Sequence, residues 1–296
     1  MPSLKDLRNR ISSVKSTKKI TSAMKMVAAA KLRKAQENAI SARPYSEEMD
    51  YIVKTLTENP NSEFRKPSLV SGSGKNDTVL LLICSADRGL CGGFNGSIIR
   101  YTRKTIRQLV KENKKIKLIF VGKKAYQALR SEVKDSIMET FFDIANPTVD
   151  FLTAKNVRDL IVSDFNVKGF DRCEIIYTKF NSAISQEVKH ETLIPVLEPD
   201  KIYTSDEVIK NDYVYDFEPE EEEILNEIIP KNIAIQVFTG LLESSASEQG
   251  ARMTAMDNAT RNANDMIDDL TLFYNRSRQA VITKELIEII SGSEAI

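Results

Sequence analysis

From Ser3 to Arg43 the chain holds no glycine or proline, and its apolar residues recur at helical spacing. Leu4, Leu7, Ile11 and Val14 follow the alternating three–four spacing of a coiled-coil seam. Lys18 breaks the strict heptad, and Ile20, Met24, Val27 and Leu32 carry the seam on a shifted face. Ser3, with Asp6 three residues on, forms a variant of the capping box. At the helical rise per residue the segment is a rod of about 60 Å. Pro44 is expected to bend or end it. Tyr45, Met49, Ile52 and Leu56 predict a further helix before Pro60, and the Ser-, Gly-, Asn- and Pro-rich stretch from Pro60 to Asp77 reads as a linker.

The pattern then changes. "TVLLLIC" (Thr78–Cys84) has the length and branching of a buried strand. A glycine-rich loop follows, then a helical pattern through Ile98, Ile99, Tyr101, Ile106 and Leu109. Ile116–Val121 and Cys173–Phe180 are two more strands, separated by helical patterns near 123–131 and 155–167, and Ile184–Val196 is expected to return as a hairpin partner. Alternating strand and helix predicts an α/β domain with a mainly parallel, Rossmann-like sheet. Pro219 followed by glutamates begins a helix, which Pro230 is expected to kink, and from Ala251 to Ser291 glycine and proline are again absent. Met253, Met256, Ala263, Ile267, Leu270, Phe273 and Val281 supply its stripe.

Two long rods thus flank a compact domain, and packing them on each other as an antiparallel two-helix coiled coil is the economical solution. The expected divisions are 1–59 for the N-terminal coiled-coil helix, 60–77 for the linker, 78–197 for the α/β domain, 198–218 for an acidic connection and 219–296 for the C-terminal coiled-coil helix.

Charge sharpens this picture. The chain balances 42 basic against 42 acidic residues, yet residues 1–43 carry 11 Lys/Arg against only Asp6 and Glu37. The rod at 251–291 has five basic and six acidic residues, which leaves positive charge on the first rod for an outside partner. Aromatics are absent from residues 1–43, so that basic arm has neither a stacking platform for nucleic acid nor an interfacial anchor for a membrane. No run approaches the length of a membrane span, and the N-terminus lacks the apolar core of a secretory signal and reads as mature protein. Cys84, Cys91 and Cys173 lack metal-ligand spacing and fit a reducing compartment.

Candidate chemistry is sparse. "SADRGLCGGFNG" (Ser85–Gly96) lies between a strand and a helix, where phosphate loops occur, but Gly89, Gly92, Gly93 and Gly96 match neither dinucleotide nor P-loop spacing. A structural turn, with Asp87 and Arg88 paired across it, is the plainer reading. Cys91 is a reactive thiol at a helix start or a small packing residue, and His190, the single histidine, reads as an exposed strand residue. The run Glu220–Glu223 reads as a solvated helix start. No constellation for acid–base or metal catalysis is present in the sequence. The readings that remain are a protein-interaction subunit, an α/β nucleotide-binding regulator with oligomerising helical arms, and a nucleic-acid-binding coiled-coil protein.

"KKITSAMKMVAAAKLRKAQ", "DRGLCGG" and "SEQGARMTAMDNATRNA", followed by "YNRSRQAVIT", resemble the gamma subunit of the F-type ATP synthase, in the same order and at the same ends of the chain. The resemblance implies a central-stalk rotor with no catalytic residues and no cofactor of its own. It couples a membrane-embedded proton-driven ring to the catalytic beta subunits. The implied partners are the alpha and beta subunits, the epsilon subunit and that ring, with no nucleic acid and no direct membrane insertion. The implied location is peripheral, on the cytoplasmic side of a bacterial plasma membrane. By motif position, Met24, Lys25 and Arg252 match shaft residues near the beta-subunit levers, and Arg278, Gln279, Thr283 and Glu285 match the cluster holding the upper shaft. Tyr215 and Glu218 match the foot near the proton ring, and Asp87, Arg88, Gly89, Cys91, Gly92 and Gly93 form the family's loop motif. The apolar end around Ala280, Val281, Ile282, Leu286 and Ile290 suits turning in an apolar collar.

Overall fold

A computed structural model describes residues 3–58, 67–145, 148–196 and 221–294. The chain divides into two compact units, residues 1–29 with 252–296, and residues 30–251. Both dividing points lie inside long helices rather than in the glycine-rich stretch.

The first helix, α1, runs from Leu4 to Glu58. Its capping box forms as the spacing predicts: the Asp6 amide donates to Ser3 Oγ at 3.1 Å, and Ser3 N donates to Asp6 Oδ2 at 3.3 Å. Contrary to expectation, α1 passes through Pro44 without ending. The last helix, α6 (Glu221–Glu294), likewise passes through Pro230. Each proline deprives the carbonyl four residues earlier, at Ile40 or Asn226, of its helical donor. Buried neighbours offset that loss, with Val53 and Leu56 beyond Pro44 and Ile229 and Ile233 around Pro230.

In the smaller unit the start of α1 pairs with the last part of α6. As α1 advances from Arg8 through Thr21 to Lys25, its partner moves back from Tyr274 through Thr260 to Asp257, so the two are antiparallel. On α6 the sheltered positions include Met256, Thr260, Ala263, Ile267, Leu270, Tyr274 and Ser277, an unbroken alternation of four and three. On α1 Leu4, Leu7, Ile11 and Val14 are sheltered as the spacing predicts, and Thr21, Met24 and Ala28 continue the seam. The expected seam residues Ile20 and Val27 are instead exposed, at 60% and 58%. Small Thr21 and Ala28 let the backbones approach, and the larger side chains one position earlier point outward.

The larger unit is built on a five-stranded sheet. Its strands are β1 (Thr78–Cys84), β2 (Lys115–Val121), β3 (Ile137–Phe141), β4 (Arg172–Phe180) and β5 (Gln186–Ile194). The spatial order is β3-β2-β1-β4-β5, parallel except for the antiparallel β4–β5 hairpin. Strand β1 is central and covered on both faces, which is why it reads as a continuous apolar run. On one face Leu80, Leu82 and Ile119 meet α5 (Phe151–Asn166) and the long helices through Leu225, Ile229 and Val237. On the other, Leu81, Ile83 and Phe120 meet α3 (Phe94–Lys111) and α4 (Lys123–Leu129) through Ile98 and Leu129. The described part of the expected linker contains a short helix, α2 (Ser68–Ser71), whose Val70 is fully buried.

Candidate functional site

In an open sheet of this order, ligands bind where successive connections leave in opposite directions, beyond the carboxyl ends of the diverging strands. Here that point lies between β1 and β4. The glycine-rich loop leaves β1 at this end, but the side chains of its Ser85, Asp87 and Asn95 are spent on the protein. Asp87 does not pair with Arg88. Its Oδ1 accepts the Lys123 amide at 3.1 Å and its Oδ2 the Asp143 amide at 2.9 Å, which ties the ends of β1, β2 and β3 together. Asn95 Oδ1 accepts the Ala86 amide at 3.1 Å. Cys91 is buried and Asn95 Nδ2 lies 3.1 Å from its sulfur, so the packing reading of this thiol holds. Ser85 Oγ accepts the Ala125 amide at 3.1 Å. At Gly122, with φ of +95°, an added Cβ would lie 2.0 Å from the Ser85 carbonyl oxygen.

The crevice itself is occupied by α6. Beyond the last residue of β1 paired to it, β4 has backbone groups that no strand takes up. Ser244 Oγ accepts the Thr178 amide at 3.1 Å, Ser247 Oγ donates to the Thr178 carbonyl at 3.0 Å, and Glu243 Oε2 accepts the Phe180 amide at 2.9 Å. Gly240 lets α6 come close, since a Cβ there would meet Ile175 Cδ1 at 2.9 Å. The cavity that remains is about 20 Å³, too small for a nucleotide. The nucleotide-regulator reading therefore loses its site at the position the fold offers for it.

In the smaller unit, Lys25 Nζ and Asp257 Oδ1 are 2.5 Å apart, and Arg261 bonds the other carboxylate oxygen. The hydrogen bond from Lys25 and then that from Arg261 hold the Asp257 carboxyl below its ordinary range. Arg8 donates to the Tyr274 hydroxyl at 2.9 Å, and this bond lowers the Tyr274 pKa. Met24 is half-buried beside Lys25, and Arg252 is also half-buried. Arg278, Gln279, Thr283 and Glu285 are exposed. Thr283 turns its hydroxyl back to the Gln279 carbonyl at 2.9 Å. Ile282, Leu286, Ile289 and Ile290 are 48–69% exposed, an apolar surface with no cover among the described residues. Tyr215 and Glu218 lie outside the described residues.

Two groups were not legible as sites. Glu243 is buried and is bonded by Arg43 Nη2 at 2.8 Å as well as by the Phe180 amide. Its one signal was an acid set in an apolar helical run. His190, expected to be exposed, is half-buried. Its Nε2 lies 2.6 Å from Glu174 Oε2, and Glu174 is itself buried. All three cysteines are buried thiols outside any disulfide, and burial pushes the Cys84 thiol up to about 12. Among the described residues no cluster suited to a metal ion is present, and no helix is long and apolar enough to cross a membrane.

Comparison with known proteins places this geometry. A family model described as ATP synthase matches residues 3–296. The ATP synthase gamma chain of Rhodospirillum rubrum is 51% identical over 299 residues, covering 100% of both chains. That of Paramagnetospirillum magneticum is 52% identical over 296 residues, with the same coverage. Among solved structures, the central stalk and c-ring of the Tetrahymena thermophila mitochondrial ATP synthase contains a chain similar at TM-score 0.59 and 28% identity, over 81% of this chain and 99% of that one. A chain of the Euglena gracilis mitochondrial ATP synthase shares the fold at TM-score 0.66 and 21% identity, over 99% and 94% of the two chains.

Proposed function

The chain belongs to the gamma-chain family of ATP synthase, and from that premise we infer that its work is mechanical and that it catalyses no step itself. It is the central-stalk rotor subunit of the F-type complex, joining the catalytic ring of alpha and beta subunits to epsilon and the membrane-embedded ring. The observation that carries the mechanical reading is the antiparallel pairing in the smaller unit, with its unbroken heptad on α6. A pair knitted this way is stiffer than either helix alone, which suits the transmission of torque. The filled crevice beyond β1 and β4 closes the position where this fold would usually hold a nucleotide.

We assign Met24, Lys25 and Arg252 to contact with the levers of the beta subunits. Lys25 is shared with Asp257, so the lever meets a partly neutralised face whose remaining charge sits on the neighbouring basic residues. Arg278, Gln279, Thr283 and Glu285 are assigned to the upper contact with the catalytic ring, and their exposure leaves them free to make it. The apolar end from Val281 to Ile290 suits an apolar bearing, where a smooth surface turns without breaking hydrogen bonds. Tyr215 and Glu218 are assigned to the foot near the proton-driven ring. The loop at Asp87–Gly93 is a brace of the sheet, which gives the rotor a stiff base. The assembly lies peripherally on the cytoplasmic side of a bacterial plasma membrane.

The test is rotation. Cys84, Cys91 and Cys173 are replaced, Val167, which is 76% exposed, becomes the single cysteine, and a probe is attached there. The chain is assembled with alpha and beta subunits fixed to a surface and supplied with magnesium–ATP. Unidirectional ATP-dependent turning is expected. A stationary probe on an assembly that still hydrolyses ATP would end the rotor reading.

A further inference from the structure

The sheet face covered by α3 is not covered completely. Between α3 and the outer face of β4–β5 a cleft of about 340 Å³ is lined by Tyr101, Lys104, Gln108, Lys114, Arg172 and His190, among others. Its floor is the buried Glu174 carboxylate, and both oxygens of that group are engaged. Arg172 Nε is 2.6 Å from Oε1 and His190 Nε2 is 2.6 Å from Oε2. Tyr101 places its hydroxyl 3.4 Å from His190 Nδ1. The other acid of the cleft, Glu112, is paired with Lys114 at 2.9 Å. The acceptors are therefore neutralised, while Lys104 makes no ion pair among the described residues.

A second hollow, of about 630 Å³, adjoins the first and shares Lys104 and Gln108 with it. Its remaining lining is Arg100, Arg103, Arg107 and Lys111, with no acid. These residues recur every three or four positions along one face of α3, so their charges stack in a row. Among the described residues only Arg103 makes an ion pair there, a bidentate one with Glu132 in which Nη2 donates to Oε1 at 2.6 Å and Nε to Oε2 at 3.0 Å, with Arg107 close enough to help lower the Glu132 pKa. Arg107 and Lys111 form no ion pair among the described residues. A row of like charges on one helix face is destabilising unless something neutralises it. This row leads into a polar cleft with a preformed floor.

We propose that the α3/β4–β5 cleft and the adjoining basic row bind an oligophosphate, with Lys104 at their junction contacting the anion. The spacing along α3 suits several linked phosphates better than one, and guanidinium groups match phosphate oxygens bidentately. The site lies on the opposite face of the sheet from α5 and the long helices, and is separate from the crevice that α6 fills.

The experiment is calorimetric titration of the full-length chain with inorganic tripolyphosphate at near-physiological ionic strength. One-to-one saturable binding is expected. Lys104→Glu should weaken it about tenfold, because an attraction becomes a repulsion. Lys18→Glu, with the same change in net charge on α1, should leave it unchanged. ATP and AMP separate the sources. ATP equal to tripolyphosphate identifies the free oligophosphate as the ligand, and ATP tighter than tripolyphosphate identifies a nucleotide held by its phosphates. Absence of saturation, equal weakening by Lys18→Glu, no weakening by Lys104→Glu, or AMP binding as well as ATP would each overturn the proposal. So would a short DNA duplex that displaces tripolyphosphate and binds more tightly, since the row would then be a general polyanion surface. The readout is binding by the chain alone and is independent of rotation.

Discussion

Arg43 and Glu243 lie 200 positions apart in the chain and meet at 2.8 Å, and the same carboxylate accepts the Phe180 amide at 2.9 Å. One buried group thus fastens α1, α6 and the end of β4 to one another. Glu243→Ala would leave the Phe180 amide and the Arg43 guanidinium without their acceptor. The expected loss is about 2–3 kcal/mol, below that for a fully buried pair because Arg43 keeps some access to water. Glu243→Gln, which retains an acceptor for one of the two donors, should lose less. Urea unfolding of the three chains checks the order.

Gly122 allows no side chain. Its φ of +95° and the 2.0 Å approach to the Ser85 carbonyl oxygen are both backbone constraints, so no rotamer change relieves them. Gly122→Ala should cost more than about 3 kcal/mol. The substitution would also pull the Asp87 brace from the Lys123 amide. Loss of soluble chain on expression, or a large fall in the urea midpoint, is the expected result, and near-normal stability would contradict it.

The Lys25–Asp257 pair sets an acid limit on the helix pair. The folded-state pKa of Asp257 is depressed below its usual 3.8, first by the Lys25 hydrogen bond and then by that of Arg261. A depressed carboxylate contributes its stability in full above the unfolded-state pKa and loses it as the pH falls through the folded one. The melting temperature should therefore exceed that of Asp257→Asn by a constant amount near neutral pH. The gap should close below pH 3.8. The pair is partly solvated, so the gap should be small and should shrink with salt.

The parallel sheet and the terminal helices were legible because each carries a long unambiguous period: Val79 to Cys84 is wholly apolar, and the ends hold no helix breaker over forty residues or so. The α1 seam was misassigned at Ile20 and Val27 because apolar pattern weights size, whereas the buried row there is Thr21 and Ala28. Strand β3, "IMETF", was missed because it is an edge strand, only half-buried and with a charge at its centre. Pro44 and Pro230 suggested breaks, but local propensity yields to packing on both sides. The glycine-rich loop was found, yet its role as a brace depends on amides of Lys123 and Asp143 far along the chain. No local pattern records such a bond. The same holds for His190, whose partner Glu174 sits on the neighbouring strand.

Ile267 is one of the sheltered positions on α6 in the smaller unit. A proline there removes a helical hydrogen bond and clashes with the carbonyl of Ala263, at a local cost of about 3 kcal/mol or more. It would also displace the heptad on one side of the break. Ile267→Pro should abolish assembly with the alpha and beta subunits while leaving the sheet folded, since the larger unit has its own core. Recovery of an intact, coupled complex would refute this.

Met24 sits on α1 next to Lys25, whose charge Asp257 already shares with Arg261. Met24→Lys adds a cation where this carboxylate has no further capacity. The new ammonium can relieve repulsion from Lys25 only by turning outward, toward an approaching acidic lever. Attraction then becomes stronger at one angle of rotation than at the others, and a rotor held too firmly at one angle releases late. The expected outcome is ATP hydrolysis that continues while proton pumping per ATP falls. Proton pumping in inverted vesicles, measured alongside phosphate release, separates the two quantities. An unchanged ratio would remove Met24 from the lever contact, and a restored ratio in Met24→Lys combined with Lys25→Met would show that the added charge, rather than the lost thioether, is responsible.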